Sequence, residues 1–479
     1  VTDTDAPTTL EPSKSRMWGV LAVVTGALFL EGIDIAMLNV AVPSIAADIG
    51  LATGSAHWVV SAYVLAYAGF MILGGRVADQ LGRRTVFLIA LTVFIAFSVL
   101  GGLAQDSSTL IVVRFITGAT AGFMTPAGFS LLTTTFHEGA LRNKALAVYG
   151  AIGASGFLLG VVAGGLLTSL GWRWVFFAPA LLGLIFLASG FKFIPRVDAA
   201  APDSSVTNQP NTGFDLVGGV TLTAAMVSLV YGIVTVGADL GSSMGIAAFV
   251  AAAVLFGAFV AIERRSDDPL IPTRVLTEGL LPWMSAIGML FIGAFFAWQF
   301  LLTLYLQDYL GWSPLHTGLA FAAMGVELVI APFLTPRLVE RFGNIAVTVA
   351  GLVAVALGFV LTLRLDEFSG LFDLLPSLVL LGVAFAFIYG PLTAASVEGV
   401  DESRHGVAGG IVYTGFQFGA ALGVSVVTIV LVGGEHGGIP DLVDYQRALI
   451  VPAAAAGLAL VVGVVTALRH RAITAREAR

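Results

Sequence analysis

The stretch "GGRVADQLGRRT" (residues 74–85) sets a glycine pair, a carboxylate, a single glycine and three arginines between two long apolar runs. Each residue type has a job at a membrane face. Gly75 is expected to let its helix approach a neighbour closely, and Asp79 to place a carboxylate at the surface. Gly82 is expected to permit a tight turn, and Arg83 and Arg84 to hold the loop on the cytoplasmic side. A plain positive-inside hairpin would account for the arginines but not for the aspartate or the glycines. The pattern recurs as "TPRLVERFGNIA" (335–346), and a shift of 261 residues carries Asp79 onto Glu340 and Gly82 onto Gly343. Internal duplication of this kind builds many membrane carriers, whose ligand site lies near the midplane between the halves.

Composition agrees with a membrane setting. The 479 residues are 57% apolar and 11% charged, against about 25% charged in a soluble domain. Runs of roughly 20 apolar residues cross a bilayer. Fourteen are present, at 17–40, 57–79, 85–104, 108–134, 143–169, 173–192, 214–236, 244–263, 281–307, 315–338, 345–365, 371–394, 405–432 and 448–468. Cysteine is absent, and the six histidines are scattered near span ends, so no metal site is expected. Residues 1–16 are polar and the apolar run that follows is too long for a signal-peptide core, so no cleavable leader is expected.

An even number of spans puts both termini on one side. Of the 23 Lys and Arg, only Arg173, Arg364 and Arg447 fall on the other side, and Arg114 lies within a span. The positive-inside rule then makes the terminus side cytoplasmic. The expected organisation is a cytoplasmic tail (1–16), a six-helix bundle (17–192), a Pro-, Ser- and Asn-rich linker (193–213), two inserted spans (214–263), a second six-helix bundle (281–468) and a cytoplasmic tail (469–479). No loop is long enough for a soluble catalytic or output domain. That excludes a sensor with such a domain, and no paired histidines or carboxylate cluster at a bilayer face point to a membrane enzyme.

The 74–85 loop resembles the hallmark G-x-L-A-D-x-x-G-R-[KR] of the major facilitator superfamily, with Val77 in place of Leu. The resemblance implies an all-α membrane protein of the major facilitator fold, with two six-helix bundles rocking about a central site. It also implies that Asp79 latches one conformation across the bundle interface. "IDIAMLNVAVP" (33–43) is similar to the first-helix pattern of the fourteen-helix drug:proton antiporters, keeping Asp34, Asn39 and Pro43 but with Ala36 where Thr is usual. "LIVVRFITGATAG" (110–122) resembles their fourth-helix motif around Arg114, with Thr117 for Gln, and "FDLVGG" (214–219) their opening to helix 7. "GFLLGVVAGG" (156–165) keeps Gly156, Gly160, Gly164 and Gly165 of their helix 5 motif, but Val161 stands where that motif has proline. These glycines fit either a close-packed seam or a conformational hinge. "GWRWVFFAP" (171–179) keeps the family's Trp-Arg-Trp run.

Ionisable groups inside a membrane are rare and mark function. Glu31 and Asp34, spaced i, i+3, share one helix face. Two carboxylates this close in a poorly hydrated site cannot both ionise cheaply. Arg114 is expected to pair with Asp34, with proton uptake releasing the pair and proton loss restoring it. Glu31 could instead face a watery crevice without titrating. Glu327, deep in the second half, suits proton coupling, recognition of a cation, or a helix-packing hydrogen bond made by the neutral acid. Phe295, Phe296, Trp298, Gln299, Tyr389, Tyr413, Phe416 and Gln417 are candidates for a substrate wall, with Asn39 added from the first span; ordinary helix packing accounts for any one of them equally well.

The expected function is proton-coupled efflux of amphipathic compounds, cationic ones among them, across a bacterial inner membrane. Export of a neutral or anionic metabolite, lipid or siderophore competes with it. No cofactor beyond the proton gradient is expected, and the partners are small-molecule substrate, protons and lipid. A monomer is expected, without nucleic acid.

Overall fold

The computed structural model describes residues 14–51, 53–136, 140–195, 216–238, 242–265, 279–367, 369–400, 405–433 and 440–477. Residues 1–13 of the expected first tail, 478–479 of the last and most of the 193–213 linker lie outside these residues. Within hydrocarbon every backbone N–H and C=O must bond inside the chain, so helices are the solution for apolar spans. Fourteen long helices result: α1 (Lys14–Ile49), α2 (Trp58–Leu81), α3 (Arg83–Gly102), α4 (Ser107–Thr135), α5 (Ala140–Leu170), α6 (Trp174–Phe193), α7 (Leu216–Ala238), α8 (Ser243–Glu263), α9 (Leu281–Tyr309), α10 (Pro314–Phe333), α11 (Asn344–Thr362), α12 (Leu371–Ser396), α13 (His405–Gly433) and α14 (Leu442–Glu477). Among the described residues there is no strand. Eleven of these helices are long and apolar enough to cross a membrane, and α2, α5 and α7 carry shorter apolar stretches.

Several helices run past the apolar runs that predict them. The first span was expected over 17–40, but α1 continues to Ile49 and stops only where Gly50 takes a positive φ of 69°. A helix ends where a turn or cap ends it, not where hydrophobicity fades. At the start of α4, the Asp106 carboxylate accepts the Thr109 N–H at 2.9 Å and the Thr109 hydroxyl at 2.6 Å. These bonds hold the Asp106 carboxyl below its ordinary range.

The duplication is visible in backbone geometry. Gly82 (φ 91°) separates α2 from α3, and Gly343 (φ 82°) separates the short helix Thr335–Phe342 from α11. Both use the left-handed region that only glycine enters freely. Helix packing repeats as well. Gly156, Gly160 and Gly164 of α5 lie against the backbone of α1, and Gly419 and Gly423 of α13 lie against that of α9. A Cβ at Gly164 would sit 2.6 Å from Met37 Cα, and one at Gly160 2.8 Å from Ile33 Cα. The sequence expected close approach at Gly75, but there the nearest atom to a Cβ is Pro126 Cβ at 3.6 Å. The tight position is its neighbour Gly74, which abuts the backbone of Gly122 and Phe123 in α4.

The two bundles meet toward the face opposite the termini. Gly165 of α5 and Gly318 of α10 face each other, so that a Cβ at Gly165 would lie 2.6 Å from the Pro314 carbonyl oxygen and 3.1 Å from Gly318 Cα. The Gln307 amide, in the π-helical last turn of α9, donates to the Val40 carbonyl of α1 at 2.9 Å. Deeper in, the Phe157 ring of α5 packs 5.8 Å from those of Phe295 and Phe296 in α9. Of the eleven long apolar helices, α9 is the most enclosed, with 89% of its apolar stretch buried, and α8 the least, with 17%. The α7–α8 hairpin is tied to α2 by the Thr223 hydroxyl, which donates to the Gly69 carbonyl at 2.7 Å, and α7 also touches α13. At the end of α1, Asp48 accepts from Trp172 Nε1 and from Arg173, each at 2.9 Å, which gives the Trp-Arg-Trp run a structural task.

Gly164→Ala should force α5 off α1 and lower stability by the roughly 1–3 kcal/mol that overpacking costs. Gly75→Ala, with room around it, should leave the melting temperature in detergent almost unchanged. Equal losses in the two variants would contradict the glycine seam.

Candidate functional site

The polar centre of the first bundle is assembled by α1, α2 and α4. Asp34 and Arg114 form an ion pair at 2.6 Å, with the two side chains 0% and 1% exposed. The expected pairing is therefore present in the structure. The guanidinium fork has further work to do: Arg114 Nε donates to the Val59 carbonyl at 3.1 Å, and the plane lies 4.3 Å from the centre of the Tyr63 ring. A buried ion pair survives only when its remaining donors and faces are also satisfied, and arginine's planar fork suits that task. Asp34 Oδ1 has no hydrogen-bond partner among the described residues.

One turn earlier on α1, Glu31 is buried as well and turns toward α2 and α4. Its Oε2 accepts the Tyr67 hydroxyl at 2.8 Å and the Thr125 hydroxyl at 2.6 Å, and those two hydroxyls are 2.7 Å apart. Glu31 thus sits in a closed polar pocket and not in a watery crevice. Tyr149 of α5 lies within electrostatic reach of Glu31 on one side and of Tyr413 on the other, which places it between the bundles. Asn39 is fully buried, and its amide donates to the Ile35 carbonyl at 3.2 Å.

In the second bundle, Glu327 lies in the first turn of the Val326–Phe333 segment of α10, which follows a 3₁₀ stretch at Ala322–Gly325. It is half-buried, forms no ion pair among the described residues, and lies within electrostatic reach of Tyr389. Tyr389 of α12 and Tyr413 of α13 are half-buried, with hydroxyls 3.3 Å apart, and Phe416 packs 5.7 and 5.5 Å from their rings. Gln417 is half-buried beside them. Trp298, Phe295 and Gln299 take a different place from the expected wall. All three are 0% exposed, and Trp298 is enclosed by Phe295, Phe321 and Phe359. They lie in the packing of α9, an enclosed helix with little free surface. Phe296 bridges to α5.

Of the 74–85 loop, Arg84 Nε donates to the Ile194 carbonyl at 3.1 Å and its guanidinium lies over Phe191, which ties the loop to the end of α6. Arg83 is half-buried and Gly82 makes the turn. The Asp79 side chain lies outside the described residues. Sequence reading missed Tyr63, Tyr67, Thr125 and Tyr149. Tyr63 and Tyr67, spaced i, i+4 on an otherwise apolar helix, were the available signal.

The Major Facilitator Superfamily model matches residues 24–424 and 283–478. The puromycin resistance protein pur8 of Streptomyces alboniger is 33% identical over 440 residues, 90% of this chain and 84% of that protein. The cephamycin export protein CmcT of Amycolatopsis lactamdurans is 34% identical over 451 residues, 92% of this chain and 90% of that protein. Among solved structures, the POT family transporter PepTSo superposes with a TM-score of 0.65 at 15% identity, covering 96% of this chain and 98% of that one. That likeness concerns the fold alone. With paired acids and a guanidinium buried inside the first of two duplicated helical bundles, and with relatives above 30% identity across nine-tenths of its length, the chain belongs to the major facilitator superfamily: it is a multi-pass membrane transporter and not an enzyme.

Proposed function

We propose that the chain exports amphipathic organic compounds, cationic ones among them, from a bacterial cell in exchange for protons. In this reading the Lys- and Arg-rich face that carries the termini is cytoplasmic, and the bundles are closed toward the outside. One observation carries the proposal: two titratable acids are buried in the first bundle, one of them, Asp34, against Arg114, where burial makes every charge costly and a change of protonation consequential. The named roles of the relatives in resistance and export support outward transport. The aromatic surface at Tyr389, Tyr413 and Phe416, with Glu327 nearby, supports an apolar or cationic cargo. A proton crossing 100 mV contributes about 2.3 kcal/mol and each pH unit about 1.4, which together sustain a gradient on the order of several hundred-fold.

In inside-out vesicles, addition of a lipophilic cationic dye should collapse an imposed pH gradient; dye uptake that leaves the gradient untouched would sink proton exchange. Asp34→Asn should abolish gradient-driven dye transport per inserted molecule, because it strands the Arg114 charge, and transport at the native rate would remove Asp34 from the coupling machinery. Arg114→Ala leaves an uncompensated carboxylate, a loss of about 3–5 kcal/mol. It should lower the yield of folded protein or, in the folded fraction, stop turnover. Glu327→Gln should weaken transport of cationic substrates several-fold more than that of neutral ones. Equal losses for both classes would argue for a coupling role at that position.

A further inference from the structure

The oxygens around Glu31 can be counted against the hydrogens available to join them. Glu31 Oε2, Tyr67 Oη and Thr125 Oγ1 form a closed triangle with sides of 2.8, 2.6 and 2.7 Å. At such distances each side requires a hydrogen between its oxygens, since bare lone pairs would repel. Tyrosine and threonine hydroxyls bring one hydrogen each, and an ionised carboxylate brings none. Two hydrogens cannot close three sides. The shortage deepens because Thr125 also lies 3.1 Å from the Ala121 carbonyl, a further claim on the same hydroxyl. A neutral Glu31 supplies the missing hydrogen. No such shortage exists at Asp34, where the guanidinium already carries the hydrogen for the 2.6 Å contact.

We infer that Glu31 carries the exchanged proton in this conformation, held in a three-oxygen ring with Tyr67 and Thr125, while Asp34 stays ionised against Arg114. The assignment rests on the proton-exchange reading above and divides the two acids of α1 between different tasks. The groups that face Glu31 fit a neutral acid: Asp34 on α1 itself, Tyr63 and Tyr67 from α2, Thr125 from α4 and Tyr149 from α5. Arg114, the cation of this region, is committed to Asp34.

Release has a mechanical consequence. When the Glu31 O–H bond breaks, its electron pair stays on the carboxylate and the proton passes to water. The Tyr67 and Thr125 hydroxyls then both turn to the carboxylate, and their own oxygens face each other without a hydrogen. They must part, which opens the ring between α2 and α4. Slack is scarce there, since a Cβ at Gly122 of α4 would lie 2.9 Å from the Tyr67 carbonyl. Tyr67 also packs edge-on against Tyr63, at 6.0 Å and 79°, and Tyr63 lies under Arg114. Tyr67 and Thr125 are thus positioning residues for the proton, and ring opening reaches the Asp34–Arg114 pair through Tyr63.

Infrared difference spectroscopy of the whole protein at neutral pH tests this directly. Subtracting Glu31→Gln from the native spectrum should reveal a neutral-carboxyl C=O band, and Asp34→Asn should keep that band. Absence of the difference, or loss of the band in Asp34→Asn instead, would overturn the assignment. Should Glu31→Gln not fold, Tyr67→Phe removes a single oxygen and must shift the band frequency; an unshifted band overturns the ring. Dye-driven collapse of a pH gradient is measured in parallel. Collapse without the Glu31 band would sink this assignment and leave proton exchange standing. The band without collapse would show a neutral Glu31 with no exchange role, and would defeat both.

Discussion

A guanidinium sealed inside a helix bundle must be matched charge for charge, and much of the first bundle is arranged around that demand. Arg114 of α4 has an anion at 2.6 Å from α1, and a backbone carbonyl on its Nε and an aromatic face beneath it from α2. Breaking a buried pair costs several kcal/mol even where the intact pair adds little net stability. The pair therefore acts as a constraint on geometry more than as a source of stability. Helices α1, α2 and α4 cannot separate without exposing a charge to hydrocarbon.

That constraint is met because the helices come close enough to share it. Glycines remove the side chains that would hold α5 off α1, and α2 and α4 approach backbone to backbone at Gly74 and Gly122. Without a hydrophobic drive between helices in lipid, such contacts supply much of the association through close packing. The second bundle repeats the scheme between α9 and α13 but holds no guanidinium in its interior among the described residues. There the polar surface is a pair of tyrosine hydroxyls near one half-buried acid. Duplication has supplied a common frame, and the two copies have taken on different chemistry.

Much of this was legible in the residues. Fourteen apolar runs match fourteen long helices among the described residues, and the shift that carries Gly82 onto Gly343 matched two glycines with the same unusual backbone angle. The Asp34–Arg114 contact was anticipated because an intramembrane cation needs a partner and the first span offered one. Which way a side chain turns was not legible. Glu31 and Asp34 share a helix face, yet one meets hydroxyls and the other a guanidinium, because those partners come from α2 and α4 at different heights. The meeting of Tyr67 with Thr125 was invisible for the same reason, since 58 positions separate two oxygens that lie 2.7 Å apart. Trp298 and Gln299 looked like wall residues because their chemistry suits a ligand, and only their place in the packing of α9 shows them enclosed.

The closed face carries one more lesson. Where Gly165 meets Gly318, main chain of one half lies against main chain of the other. Parting these two glycines requires no change of rotamer, and the Gln307 amide's bond to the Val40 carbonyl is what opening of this face must break. A joint of that kind fits tightly when shut yet offers little friction when it opens, as a gate that must cycle on every turnover requires.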